Sequence, residues 1–130
     1  MRIFFFNPLI KTIIMNRIFY LKTCDTCKKI LKQIDPGAPF ELREIKEHPI
    51  TEKELEEMYE KTKSYEALFN KRAQLYKERN LKDQSRTEND YKKYLLEHYT
   101  FLARPVIFYK DRIFVGNAKK TIEEALSLIH

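Results

Sequence analysis

Hydrophobic positions along the chain switch between short dense blocks and helical spacing, and the switch points divide it into elements. Residues 17–22, RIFYLK, form a short block rich in β-branched and aromatic side chains, which predicts a buried strand. In KKILKQI, Ile30, Leu31 and Ile34 recur at helical spacing, and Asp35-Pro36-Gly37 supplies a stop. Residues 40–45, FELREI, set Phe40, Leu42 and Ile45 roughly against Glu41, Arg43 and Glu44, the period of a second strand. The first third of the chain therefore reads β-α-β.

A long helical stretch follows. Thr51 with Glu54 three residues on forms a capping box that opens TEKELEEMYEKT, whose apolar face is Leu55, Met58 and Tyr59. SYEALFNKRAQLYKERN reads as shorter helices with a break near residues 70–72. Thr87 caps a further helix, TENDYKKYLLEHYTFL, with Tyr91, Tyr94, Leu95 and Tyr99 on one side. Arg104-Pro105 then stops helical structure, because Pro disfavours the α conformation in the residue before it. VIFYK (106–110) and RIFVG (112–116), separated only by the turn at Lys110-Asp111, predict a β-hairpin. AKKTIEEALSLI ends the chain as an amphipathic helix with Ile122, Leu126 and Ile129 inward. No repeat or linker interrupts this order of β-α-β, helices, then β-β-α.

Length and composition narrow the class. At 130 residues the chain is long enough for one domain with its own core, expected over residues 15–130. The opening MRIFFFNPLIKTII is apolar, but Pro8 and Lys11 interrupt it, no small-residue cleavage site follows, and it is too short to span a bilayer. Residues 1–14 are therefore expected to be a non-native or disordered extension, with Met15 opening the folded part and no membrane association. The net charge of +6 suits anionic small molecules or an acidic partner surface. The basic residues are interleaved with 19 acids, and the absence of a like-charged run argues against a nucleic-acid-binding arm.

The chain's only two cysteines, Cys24 and Cys27, sit in YLKTCDTCKKIL. Two cysteines do not make a secreted disulfide framework, so the expected compartment is the reducing cytoplasm. A structural zinc site needs about four ligands, and His48, His98 and His130 have no ligand spacing with the pair, so no metal is expected. A disulfide between Cys24 and Cys27 closes too small a loop to stabilise the fold much. Cys27 alone could be an inert buried thiol. Cys24 sits where a strand leads into a helix N-terminus, where free N–H groups and the helix dipole favour a thiolate. Lys22, Lys28 and Lys29 add positive charge nearby in sequence, and the thiolate is the nucleophilic form. C-x-x-C beside a βαβ pattern reads as a thioredoxin-like redox site, and Pro105, ahead of the hairpin, stands where such folds place a proline, usually cis, against the active cysteine. A helix stop alone also explains Pro105.

Three segments carry a resemblance to a known family: IFYLKTCDTCKK, SYEALFNKRAQLYK and FLARPVIFYKDRIFVGN. Together they resemble the arsenate reductase/Spx-like family of thioredoxin-fold proteins over nearly all of residues 17–129. The resemblance implies an α/β thioredoxin-like fold with a helical insert, over 51–102, between the β-α-β and β-β-α halves. It implies Cys24 as nucleophile, and Arg104 and Arg72 facing the anion or thiol site. Lys28 and Pro105 join the expected site, with Cys27 as the partner thiol. Glutathione-linked arsenate reductases carry an arginine where this chain has Asn70, and another where it has Gly116-Asn117, and they usually lack the second cysteine.

Two functions follow from the resemblance. The first is a thiol-dependent oxidoreductase without tightly bound cofactor, in which Cys24 attacks an arsenate-type oxyanion or a glutathione mixed disulfide. Glutathione, another small thiol, glutaredoxin or thioredoxin then supplies electrons. The second is an Spx-like regulator that binds RNA polymerase, with Cys24 and Cys27 as a redox switch. The tyrosines of the insert could serve as a contact face for such a partner, but core packing explains their helical spacing more cheaply.

Overall fold

The computed structural model describes residues 16–34, 40–84 and 86–130. The expected extension, the start at Met15 and the helix stop at 35–37 lie outside these residues. Four strands, β1 (Asn16–Tyr20), β2 (Phe40–Glu44), β3 (Val106–Tyr109) and β4 (Arg112–Val115), form one sheet in the order β2-β1-β3-β4. β1 pairs parallel with β2 and antiparallel with β3, and β3 pairs antiparallel with β4. The helices are α1 (Asp25–Gln33), α2 (Glu52–Thr62), α3 (Gln74–Glu78), α4 (Glu88–Glu97) and α5 (Lys119–Ile129). A β-α-β unit, a helical insert and a β-β-α unit thus share one mixed sheet, the thioredoxin-like α/β fold implied by the resemblance.

The period-2 alternation of β1 and β3 sorts their side chains to two faces. Ile18, Ile107 and Phe114 pack with Ile30, Ile34, Ile122 and Ala125, so α1 and α5 cover one face. Phe19, Val106 and Phe108 pack with Leu55, Met58, Leu68, Tyr91, Leu95 and Phe101, so the insert covers the other. Phe69 is the hub of the insert, with ring centroids 5.0 Å from Tyr91, 5.1 Å from Phe101 and 5.7 Å from Tyr76. The tyrosines at helical spacing thus serve packing first: Tyr65, Tyr76 and Tyr91 are buried, while Tyr59, Tyr94 and Tyr99 are partly so.

Three boundaries differ from the sequence expectation, each for a physical reason. β1 ends at Tyr20 because the Cys24 N–H donates to the Leu21 carbonyl at 3.0 Å and closes a turn. α1 begins at Asp25, so Cys27 lies inside its first turn. The helix predicted over 87–102 ends at Glu97, and Tyr99–Phe101 continue as a 3₁₀ turn. Leu42 is 54% exposed on β2, an edge strand of the sheet, although its register partner Ile18 on β1 is buried.

The insert is tied back to the site half of the sheet by an isolated antiparallel bridge, Phe69 to Leu102. The Asn70 N–H donates to the Phe101 carbonyl at 2.7 Å and the Ala103 N–H to the Leu68 carbonyl at 2.8 Å. This bridge sets the turn at residues 70–73 beside the approach to Pro105. The predicted capping box of α2, Thr51 with Glu54, is formed, and the expected cap Thr87 of α4 forms a second box with Asp90. Urea unfolding checks these contributions: Leu55→Ala, from a fully buried position, is expected to lose about 2–5 kcal/mol, and Thr51→Ala about 1 kcal/mol.

Candidate active site

Cys24 is the N-cap residue of α1, with extended backbone (φ −91°, ψ 114°) and a half-buried side chain. Its carbonyl accepts from the Lys28 N–H at 3.1 Å, which starts the helix. Partial burial alone raises the thiol pKa. The Cys27 N–H, the Cys27 thiol, the Arg104 charge and the Thr26 N–H outweigh it, so the Cys24 pKa is lowered. Cys27 is fully buried, and its burial, with the charge on Cys24 and the hydrogen bond to it, pushes its thiol up to about 11. At neutral pH the pair therefore holds an acidic thiol at the surface and a proton-bearing thiol behind it.

Cys24 opens onto a cleft of about 410 Å³ that Arg72 and Arg104 also line. Arg104 is half-buried and its Nη1 donates to the carbonyls of Leu102 at 3.2 Å and Thr100 at 3.4 Å. Its Nε is buried without a hydrogen-bond partner among the described residues. Arg72 is exposed, and its backbone N–H donates to Asn70 Oδ1 at 3.0 Å, closing the turn that carries it. Among the described residues neither arginine is paired with a carboxylate. Both positive charges are therefore available to an anion in the cleft.

Of the residues expected at the site, the cleft brings together Cys24, Arg72 and Arg104. Cys27 and Pro105 are buried behind it. The Arg104–Pro105 peptide bond is cis, and the Pro105 carbonyl accepts the Gly116 N–H at 2.9 Å, tying the end of β4 to the cleft. Lys28 does not line the cleft: it is exposed on α1, with Nζ 4.0 Å from Asp25. Lys22 also points away, its Nζ 3.1 Å from Glu47. Arg104 is the cation among the leading influences that lower the Cys24 pKa, and the lysines adjacent in sequence are not among them.

The sequence reading missed Gln74 and Thr100, which line the same cleft. Asn70 and the Gly116-Asn117 pair, noted above only as departures from the arsenate reductases, line it too. Uncharged groups therefore stand at both positions. Gly116 has φ +88°, and a Cβ there meets nothing within 4 Å, so backbone conformation rather than crowding favours glycine. Among the described residues, no group of three His, Cys, Asp or Glu side chains could hold a metal ion, and no helix is long and apolar enough to cross a membrane.

The model of the ArsC family matches residues 19–125 of this chain. Among solved structures, an ArsC-family-related protein of Bacteroides fragilis is similar at 22% identity and a TM-score of 0.71, covering 86% of this chain and 98% of its own. A Staphylococcus aureus protein is 27% identical with a TM-score of 0.69, over 85% of this chain and 97% of its own. An arsenate reductase from Vibrio cholerae is 19% identical with a TM-score of 0.65, over 88% and 97%. No curated protein matches the chain.

The electrostatics of the site make a kinetic prediction. As pH rises, Cys24 is expected to be alkylated first, with an apparent pKa below that of an ordinary thiol, while Cys27 stays protected until near pH 11. Replacing Arg104 with Gln removes a charge that favours the Cys24 thiolate, and should slow alkylation at neutral pH by up to about tenfold, the equivalent of one pH unit of thiol acidity. An unchanged pH profile in Arg104→Gln means that this guanidinium does not act on the thiol.

Proposed function

The chain belongs to the ArsC family, within the ArsC/Spx thioredoxin-like redox fold, and on that premise we propose that it is a thiol-dependent oxidoreductase with Cys24 as nucleophile. The observation that carries this reading is the acidic Cys24 thiol at a helix N-terminus, facing a cleft lined by two arginines that pair with no carboxylate among the described residues. With a glutathione mixed disulfide, the Cys24 thiolate attacks one sulfur. The substrate S–S bond breaks, a Cys24–S–S bond forms, and the displaced thiolate leaves and takes a proton from water. An external glutathione thiolate then attacks the glutathione sulfur of the adduct, releasing Cys24 as thiolate and leaving as glutathione disulfide. Alternatively, Cys27 attacks the Cys24 sulfur, releases the bound thiol and leaves a Cys24–Cys27 disulfide that two external thiols reduce, ending as their own disulfide.

With an arsenate-type oxyanion, the thiolate displaces hydroxide and forms a sulfur–arsenic bond. Attack of a second thiol on that sulfur leaves the bonding pair on arsenic, which is thereby reduced from the +5 to the +3 state. Asn70 and Gly116-Asn117 leave the cleft with fewer positive charges than that tetrahedral dianion calls for. The disulfide substrate is therefore the favoured of the two.

The Spx-like reading keeps one specific support. Cys24 and Cys27 stand three residues apart at the start of α1 and each shifts the other's acidity, so oxidant could join the two sulfurs and act as a switch rather than a catalytic step. Turnover separates the readings. With glutathione and glutaredoxin as reductants, a glutathionylated peptide is expected to be reduced faster than arsenate. Cys24→Ser should abolish the activity and Cys27→Ala should accumulate a mixed disulfide on Cys24. Absence of turnover with both substrates, together with oxidant-dependent capture of RNA polymerase, would favour the regulator.

A further inference from the structure

His98 ends α4 and opens the 3₁₀ turn Tyr99–Phe101. Its Nδ1 accepts the Thr100 N–H at 3.2 Å and lies 2.8 Å from Thr100 Oγ1. A backbone N–H can only donate, so Nδ1 carries a lone pair and the ring proton sits on Nε2. The half-buried ring is stacked on Tyr99, with centroids 4.6 Å apart and planes at 25°, and meets Phe101 edge-on at 6.3 Å. Thr100 is thus held by both its N–H and its hydroxyl.

The third polar group of Thr100 reaches the cleft side. Its carbonyl accepts Asn70 Nδ2 at 3.3 Å and Arg104 Nη1 at 3.4 Å. Asn70 Oδ1 in turn accepts the Arg72 N–H. All four residues, Asn70, Arg72, Thr100 and Arg104, line the cleft with Cys24. His98 does not. Its ring borders a separate groove of about 120 Å³ with Pro49, Ile50 and Leu96.

We propose that His98 is a positioning residue: through Thr100, its neutral imidazole fixes the Arg104 guanidinium and the Asn70 amide around Cys24. The inference rests on the reading of Cys24 as nucleophile. Among the described residues no carboxylate pairs with Arg104, and its Nη1 is held by the carbonyls of Thr100 and Leu102. A long, flexible side chain held by two carbonyls loses its preorganisation when one of them is free to move. Fixing the Thr100 turn from behind, outside the cleft, holds the guanidinium without neutralising it.

The test compares two variants by pH-dependent alkylation of Cys24, with thermal unfolding alongside. His98→Ala is expected to shift the Cys24 profile to higher pH and slow alkylation at neutral pH by up to about tenfold. His98→Asn, whose side-chain oxygen can accept the same N–H, should restore the wild-type profile. Because His98→Ala could unfold, the ¹⁵N shifts of the wild-type imidazole give an independent readout, expected to show unprotonated Nδ1 and protonated Nε2. A protonated Nδ1, or a His98→Ala protein with lower Tm but wild-type Cys24 acidity, overturns the proposal. A Cys24 that titrates as an ordinary thiol in the wild-type protein overturns the nucleophile reading and this inference with it. An acidic Cys24 indifferent to position 98 overturns this inference alone.

Discussion

The turn from β1 into α1 is closed by the hydrogen bond from the Cys24 N–H to the Leu21 carbonyl, 3.0 Å long. That bond stops β1 at Tyr20 and makes Cys24 the residue flanking a helix whose first N–H groups have no helical acceptors. It also rotates Cys27 inward, into the first turn of α1, where it is fully buried. Two chemically identical side chains three residues apart thereby acquire opposite acidities. One is lowered by amides and a guanidinium, while the other is raised by burial. The same backbone turn thus separates a more acidic thiol from a proton-bearing neighbour.

The opposite wall of the cleft has a less local origin. Residues 70–74 belong to the insert and 100–104 to the approach to β3, and the Phe69–Leu102 bridge brings them together. The aromatic hub at Phe69 buries the base of that bridge against Tyr91 and Phe101. Packing that looks purely structural therefore fixes the distance between the arginine-bearing segments and Cys24. The polar contacts that refine it, from His98 through Thr100 to Asn70 and Arg104, run along the top of this apolar base.

Where local pattern decides structure, the sequence was legible. The blocks at 17–22, 40–45, 106–110 and 112–116 became the four strands, and α2 and α4 start at the caps read at Thr51 and Thr87. The Cys loop, Arg104 and Pro105 were legible because the motif and the hairpin bracket them. The alternation in residues 40–45 marked a strand but not that it is an edge strand, where Leu42 stays exposed. The lysines near Cys24 were given a role that proximity in sequence does not confer: Lys22 and Lys28 lie beside Glu47 and Asp25 instead. Thr100 and Gln74 carry no motif, and they reach the cleft only through a long-range bridge that no window of the sequence contains.

The split in acidity between the two thiols is read directly by ¹³Cβ NMR titration of the cysteine-labelled protein. One resonance, assigned to Cys24 with the help of Cys27→Ala, is expected to move at a pH below the ~8.5 of a free thiol. The Cys27 resonance should stay in its thiol position until near pH 11. Two resonances moving together near the free-thiol value would contradict it, and Cys24 would then be an ordinary cysteine in a strand-to-helix turn.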